Sequence, residues 1–213
     1  PDARVLAGGT AQGSYTLEVS HLAAAQTVAS RGYGGAGDLV GEGQLTITFG
    51  TIAGGPISPD PAKAAVNITV SATDTLADVA TRIRASGSGL NASVAQTATG
   101  ARLVVKGADG AANAFEISAS GPSASGGTPA AGNIDYLAWD VASDAGRRTA
   151  SARDAEFLFD GVPMTSGSNT VTGLPGGLSL TLTGTNAGAP TTISFAEKSS
   201  QISAVMGDFV SAL

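Results

Sequence analysis

"TDTLADVATRIRASG", residues 73–87, stands apart in a chain that otherwise alternates apolar and polar residues. Leu76, Val79, Ala80 and Ile83 fall at i, i+3, i+4 and i+7, one apolar stripe of a helix. Thr75 is placed to cap the first turn, and Asp78 sits near the positive end of the helix dipole. Arg82 and Arg84 lie near the negative end, and Gly87 can stop the helix. A helix this short needs packing to persist, so the spacing predicts that its stripe lies on a sheet.

The neighbouring segments supply that sheet. "GQLTITFG" (43–50) places Leu45, Ile47 and Phe49 on one face, and "AVNITVSA" (65–72) points Val66, Ile68 and Val70 inward. Between them, "GGPISPDP" (54–61) cannot be strand interior, because its prolines lack ladder donors. "LNASVAQ" (90–96), "ARLVVKG" (101–107) and "AFEISA" (114–119) read as three more strands, the first two joined by a turn around Thr99 and Gly100. Residues 66–118 therefore read as an α+β unit, a helix on one face of a mostly antiparallel sheet. "SGPSASGGTPAAG" (120–132) is a long loop. "IDYLAWDVA" (134–142) is expected to be another strand, with Ile134, Tyr136 and Ala138 opposite Leu137 and Trp139.

Towards the N-terminus, "GSYTLEVSHLAAAQ" (13–26) opens as a strand with Tyr15, Leu17 and Val19 on one face, and the Ala-rich residues 22–29 are ambiguous. "RGYGGAG" (31–37) and "SDAGRRTASAR" (143–153) read as the outward and return crossings between two domains. A discontinuous base domain of residues 1–30 and 147–213 and an inserted domain of 31–146 follow from that reading. Beyond the return crossing, Asp160-Gly161 in "DAEFLFDGVPMT" (154–165) is a hairpin turn pair. "NTVTGL" (169–174), "GLSLTLTG" (177–184) and "TTISFAE" (191–197) continue as strands. From Ser199 or Ser200 onward, Ile202, Val205, Met206, Phe209, Val210 and Leu213 fit a helical stripe. The fold class is α+β and β-rich: two small domains of mostly antiparallel sheet, one carrying a short helix on its sheet, plus a C-terminal helix entering a leg. Those six C-terminal residues are the candidate leg or oligomer contact. Pro1 is not a natural start, so the chain reads as a piece of a longer protein.

Composition narrows the chemistry. Hydrophobic residues make up 42% of the 213 residues but aromatics only 5%, so the core rests on Val, Ile, Leu and Ala. The net charge is -6, with only 11 Lys and Arg, scattered; Arg147-Arg148 is a pair and not a patch, which argues against a nucleic-acid partner. No apolar run approaches the ~20 residues that span a bilayer, so no membrane partner is expected. Without Cys there are neither disulfides nor thiolate ligands.

No motif supports an enzyme, a cofactor or a metal. His21 is the only histidine and has no carboxylate pair at ligand spacing. No G-x-S-x-G elbow accompanies it. Gly32, Gly34 and Gly37 spell G-x-G-x-x-G, but Gly41 and Gly43 follow where a helix would have to start, so a flexible crossing is the better reading. Asn67-Ile68-Thr69 and Asn91-Ala92-Ser93 are glycosylation sequons by pattern only. Trp139 and Tyr136 read as core, and Asp154 and Asp160 as turn residues.

Three stretches carry a resemblance. "NITVSATDTLADVATRIRASGSGLNASVAQTATGARLVVKGADGAANAFEI" (67–117) resembles the flagellin hook IN motif, whose G-x-R-L-x-[VL] hairpin is matched by Gly100, Arg102, Leu103 and Val105. The motif's Ile-Asn pair is Ile83-Arg84 here. "GSYTLEVSHLAAAQ" resembles the N-terminal signature of the flagellar filament cap family, FliD or hook-associated protein 2, and "ARDAEFLFDGVPMTSGSNTVTGLPGGLSLTLTG" resembles the start of its C-terminal region. Segments 31–65 and 120–146 match nothing in that family. The resemblance implies a structural capping protein at the distal tip of the bacterial flagellum, extracellular and exported by the flagellar secretion apparatus, which helps flagellin fold and polymerise. It implies two partners, further copies in a ring-like homo-oligomer and flagellin subunits. The alternatives are another flagellar axial protein (hook–filament junction or flagellin variable domain) and a secreted adhesin or carbohydrate-binding β module, with host-surface glycans as its ligand.

Overall fold

The computed structural model describes residues 3–7, 13–126 and 128–195. The six-residue C-terminal stripe from Ile202 to Leu213 lies outside the described residues. The chain forms two compact units: a base unit of Pro1–Leu22 with Ala155–Leu213, and an inserted unit of Ala23–Asp154. In chain order the strands are β1 (Ala3–Ala7), β2 (Gly13–His21), β3 (Ala25–Ala29), β4 (Gly43–Thr51), β5 (Ser58–Pro59) and β6 (Val66–Val70). Helix α1 (Leu76–Ala85) follows, then β7 (Asn91–Thr97), β8 (Gly100–Asp109), β9 (Ala114–Ser120) and β10 (Arg148–Ala150). The base unit resumes with β11 (Ala155–Phe159), β12 (Val162–Ser166), β13 (Thr170–Leu174), β14 (Leu178–Leu182) and β15 (Thr191–Phe195). Every strand pairing is antiparallel, so the β-rich α+β class expected from the sequence holds.

The inserted unit has two sheets, and the 66–118 segment is divided between them. β4 is the centre of the first. Its Gly50 faces Pro59 of β5 on one side and Ala114 of β9 on the other, and its Leu45 faces Ile68 of β6 and Ala119 of β9. The second sheet has the order β10-β3-β8-β7. The expectation of one thin sheet running on from β6 through β7, β8 and β9 is corrected accordingly. Alternation along a strand reveals which face is buried but not which neighbour it pairs with.

Helix α1 joins the two sheets in sequence and packs on β6, β7 and β8. Leu76, Val79, Ala80 and Ile83 are buried, as their spacing requires. Thr75 and Asp78 form a reciprocal capping box, Thr75 Oγ1 accepting from Asp78 N–H while the Asp78 carboxylate accepts from Thr75 N–H. The Arg84 guanidinium donates to the Ala92 carbonyl, tying the helix end to β7. One continuous core holds the unit, with Leu45, Ile47, Ile68, Leu103, Val105 and Phe115 around the helix stripe.

The crossings also lie elsewhere. Residues 23–30 and 147–154, which the sequence reading gave to the base domain, belong to the inserted unit. β3 and β10 pair with each other there, and Ala24 and Arg153 exchange two backbone hydrogen bonds of 2.9 and 3.0 Å. The "RGYGGAG" stretch is internal to this unit. Tyr33 is buried and exchanges two backbone bonds with Ala101, both 2.8 Å. Gly100 permits that approach: it sits at φ +129°, and a Cβ there would lie 2.0 Å from the Tyr33 carbonyl.

Residues 134–142 are not a strand. Ile134–Leu137 is a 3-10 turn, and beyond it Trp139 pairs with Ile117 through two 2.8 Å backbone bonds. Ile134 and Leu137, three residues apart, are both buried, as one face of a turn demands, and the period-two reading missed that spacing. Trp139 is core, as expected.

In the base unit, one sheet has the order β12-β11-β2-β15 and the other β1-β14-β13. Leu17, Val19, Phe157 and Phe159 are buried on the first, and Leu178, Leu180 and Leu182 on the second. The β11–β12 hairpin turns at Asp160 (φ 49°) and Gly161 (φ 76°), the left-handed pair that a two-residue hairpin requires. Asp160 also accepts the Thr16 N–H and donates its own N–H to the Thr16 carbonyl, extending the ladder past the turn.

Candidate assembly surfaces

A surface built from sheets recognises other chains through strand edges, exposed faces and the clefts between layers. Some of the strand edges are closed by identifiable devices. The outer edge of β9 is occupied by Trp139. β5 and β12 carry Pro59 and Pro163. β10 has only three residues. Beside β2, the Asn186 carboxamide continues the ladder beyond β15: its Oδ1 accepts from Val19 N–H and its Nδ2 donates to the Leu17 carbonyl. Gly188 N–H donates to Glu18 at 2.6 Å.

The ionisable groups serve structure. Arg82 donates to the Asp74 carboxylate at 2.9 Å, and this bond holds the Asp74 pKa below its ordinary value against the opposing effect of burial. Asp144 is raised by burial but lowered more by the bonds it accepts from Trp139 Nε1–H at 2.8 Å and Arg148 N–H at 2.7 Å. Arg147, half of the basic pair, is buried and donates to the carbonyls of Ala138, Ser143 and Asp144. Asp154 accepts the Ala111 N–H at 2.7 Å, a loop-tying role in keeping with its turn reading. His21 pairs with Glu156 at 3.4 Å, and both side chains are more than half exposed. Among the described residues, no group of three or more His, Cys, Asp and Glu could hold a metal ion, and no helix is long and apolar enough to cross a membrane.

Four open clefts among the described residues each include one charged side chain, Lys63, Arg82, Glu156 or Glu42. One of about 290 Å³ is lined by Phe49, Lys63, Val66, Gly87, Gly89 and Leu90, where the helix end meets β4 and β6. Lys63 donates there to the Ala112 carbonyl and to Asn113 Oδ1, which ties its ammonium to the wall. Among the described residues, Leu39 and Val162 are the large apolar side chains most open to solvent.

Comparison with known families gives that surface a context. Residues 152–213 match the flagellar hook-associated protein 2 C-terminus, and residues 44–109 match the flagellin hook IN motif. The two matches together support a flagellar cap protein. The chain's fold agrees with solved cap-protein structures. The D2-D3 domains of the Escherichia coli flagellar cap protein FliD share 24% identity at a TM-score of 0.73, over 92% of this chain and 94% of that one. FliD (HAP2) of Pseudomonas aeruginosa PAO1 shares 22% identity at a TM-score of 0.76, over 99% and 91%. The D2-D3 domains from Serratia marcescens share 17% at 0.74, over 92% and 100%. No curated protein matches the chain in sequence. The hook IN match begins in β4 and ends in β8, two strands earlier at its start than the resembling stretch 67–117.

Proposed function

We propose that the chain is the head of a homo-oligomeric cap at the distal end of a bacterial flagellar filament, where it assists flagellin folding and polymerisation. The observation that carries this reading is the joint presence, in one chain, of the hook-associated protein 2 C-terminal region and an inserted flagellin hook IN motif. The composition supports it, because a weakly charged Ser- and Thr-rich surface suits repeated contact with folding chains. On this reading the protein is extracellular, exported by the flagellar apparatus, and performs no covalent chemistry. The repeat of Ile202, Val205, Met206, Phe209, Val210 and Leu213 leads from the head into a helical leg. Immunogold labelling of the full-length protein on intact cells tests the reading. Label at filament tips supports it, and label along the shaft or at the hook–filament junction favours another axial protein.

A further inference from the structure

The outer edge of β6 carries none of the closing devices found on β5, β10 and β12. Its five residues, Val66–Val70, include no Pro, Gly or charged side chain, and they pair with β4 without a bulge. The alternation of the ladder fixes which main-chain groups this edge presents. Ile117 exchanges its N–H and C=O with Trp139, on the side of β9 away from β4. Ile47, opposite Ile117, therefore turns its own N–H and C=O to the other side of β4, towards Val66. Phe49 keeps the alternation, since its carbonyl accepts from Asp60 N–H on that same side.

Val66, Ile68 and Val70 are thus the residues bonded to β4, and Asn67 and Thr69 aim their N–H and C=O off the sheet. Ser71, next in that outward series, closes on a turn: its N–H donates to the Asp74 carboxylate at 2.9 Å and its carbonyl accepts from Asp74 N–H at 3.0 Å. Among the described residues, no such partner meets the main chain of Asn67 or Thr69. A hollow of about 280 Å³ runs beside them, between the strand and the last turn of α1, lined by Asn67, Ile68, Thr69, Arg82, Ala85 and Ser86. Asn67, Thr69, Arg82 and Ala85 are exposed. The charge of Arg82 is already met by Asp74, so the groove is electrically balanced and suits an uncharged occupant.

We propose that the β6 edge adds a strand: an extended, uncharged segment of an unfolded polypeptide bonds to the outward groups of Asn67 and Thr69 and lays a side chain in the hollow against α1. The occupant is unfolded because a folded chain has its own backbone groups paired. A single strand is favoured over a second copy, which would bring its own α1 alongside the seam. Assigning the segment to flagellin that has yet to fold rests on the cap reading; the edge itself does not.

Amide hydrogen exchange of the 213-residue chain, with and without a blocked peptide of alternating Thr and Val, tests the proposal. In the free chain the amides of Asn67 and Thr69 should exchange about tenfold or more faster than those of Ile68 and Val70, which β4 protects. Peptide at about 1 mM, a level suited to so short a contact, should slow Asn67 and Thr69 about twofold or more. Two versions of the peptide, N-methylated on one or the other set of alternate residues, should differ: one loses the donors that face β6 and fails to bind, and the other binds like the parent. Thr69→Pro removes an outward donor without touching a bond to β4, and should weaken binding about tenfold. Free-chain amides of Asn67 and Thr69 as protected as Ile68, a parent peptide that leaves them unchanged, or two methylated versions that behave alike would each overturn the proposal. So would protection that rises with chain concentration alongside a dimer in sedimentation, which would make a second copy the occupant. These outcomes concern the edge alone and leave tip localisation, which tests the cap reading, as a separate result.

Discussion

The carboxamide of Gln26 and the main chain of Phe115 form a closed pair in the interior: Nε2 donates to the Phe115 carbonyl at 2.7 Å, and Oε1 accepts the Phe115 N–H at 3.2 Å. Gln26 is fully buried. β3 and β9 belong to different sheets, so this side chain stitches the two layers of the inserted unit together. Gln26→Leu should cost about 2–4 kcal/mol, because it leaves two buried backbone groups unpaired at about 1–3 kcal/mol each. Urea unfolding checks it, and an unchanged midpoint would show that the layers are held without the pair.

Helix α1 has two separable supports. Thr75→Ala removes the cap and should cost about 0.5–2 kcal/mol. Ile83→Ala opens a cavity in the core and should cost about 2–5 kcal/mol. The order is the useful part: in denaturant melts the core truncation should exceed the cap loss, since most of the stability of so short a helix comes from packing.

Acid should loosen the same helix. The bond from Arg82 holds Asp74 below its ordinary carboxylate value, so its contribution is present above the unfolded pKa of about 3.9 and is lost as pH falls through the folded value. Asp74→Asn should therefore be less stable than the parent at neutral pH, with the gap closing below about pH 4. Melts of both proteins across that range check it, and a constant gap would place the loss elsewhere.

Much of this fold is legible in the sequence, because strong periodicity writes it. The stripe of Leu76, Val79, Ala80 and Ile83 and the turn at Asp160-Gly161 need no tertiary knowledge. Three features escape for physical reasons. Partition into two sheets depends on pairing, which period two does not encode. Ile134 and Leu137 are compatible with both a strand and a turn, and a nine-residue window favoured the wrong one. The unit boundary is set by the Ala24–Arg153 pairing, which brings together residues 129 positions apart, whereas the glycines of "RGYGGAG" advertise a break that Tyr33 fills with a core contact. The candidate surface was legible only as composition, since which side chains face outward emerges once register is known.

That boundary has a consequence for the inserted unit. Its ends are clasped by Ala24 and Arg153, and its core is continuous within Ala23–Asp154. A fragment of residues 23–154 should fold alone with a single cooperative transition. Dispersed amide signals and a sharp melt would agree, whereas a molten spectrum would mean that the clasp is insufficient.

The central claim is that this chain is the working head of a flagellar cap. Removing residues 23–154 from the full-length protein in its own bacterium, then assaying flagellin in cells and medium, tests it most directly. The account predicts stunted or absent filaments with unpolymerised flagellin released into the medium. Filaments of normal length with no released flagellin would contradict it.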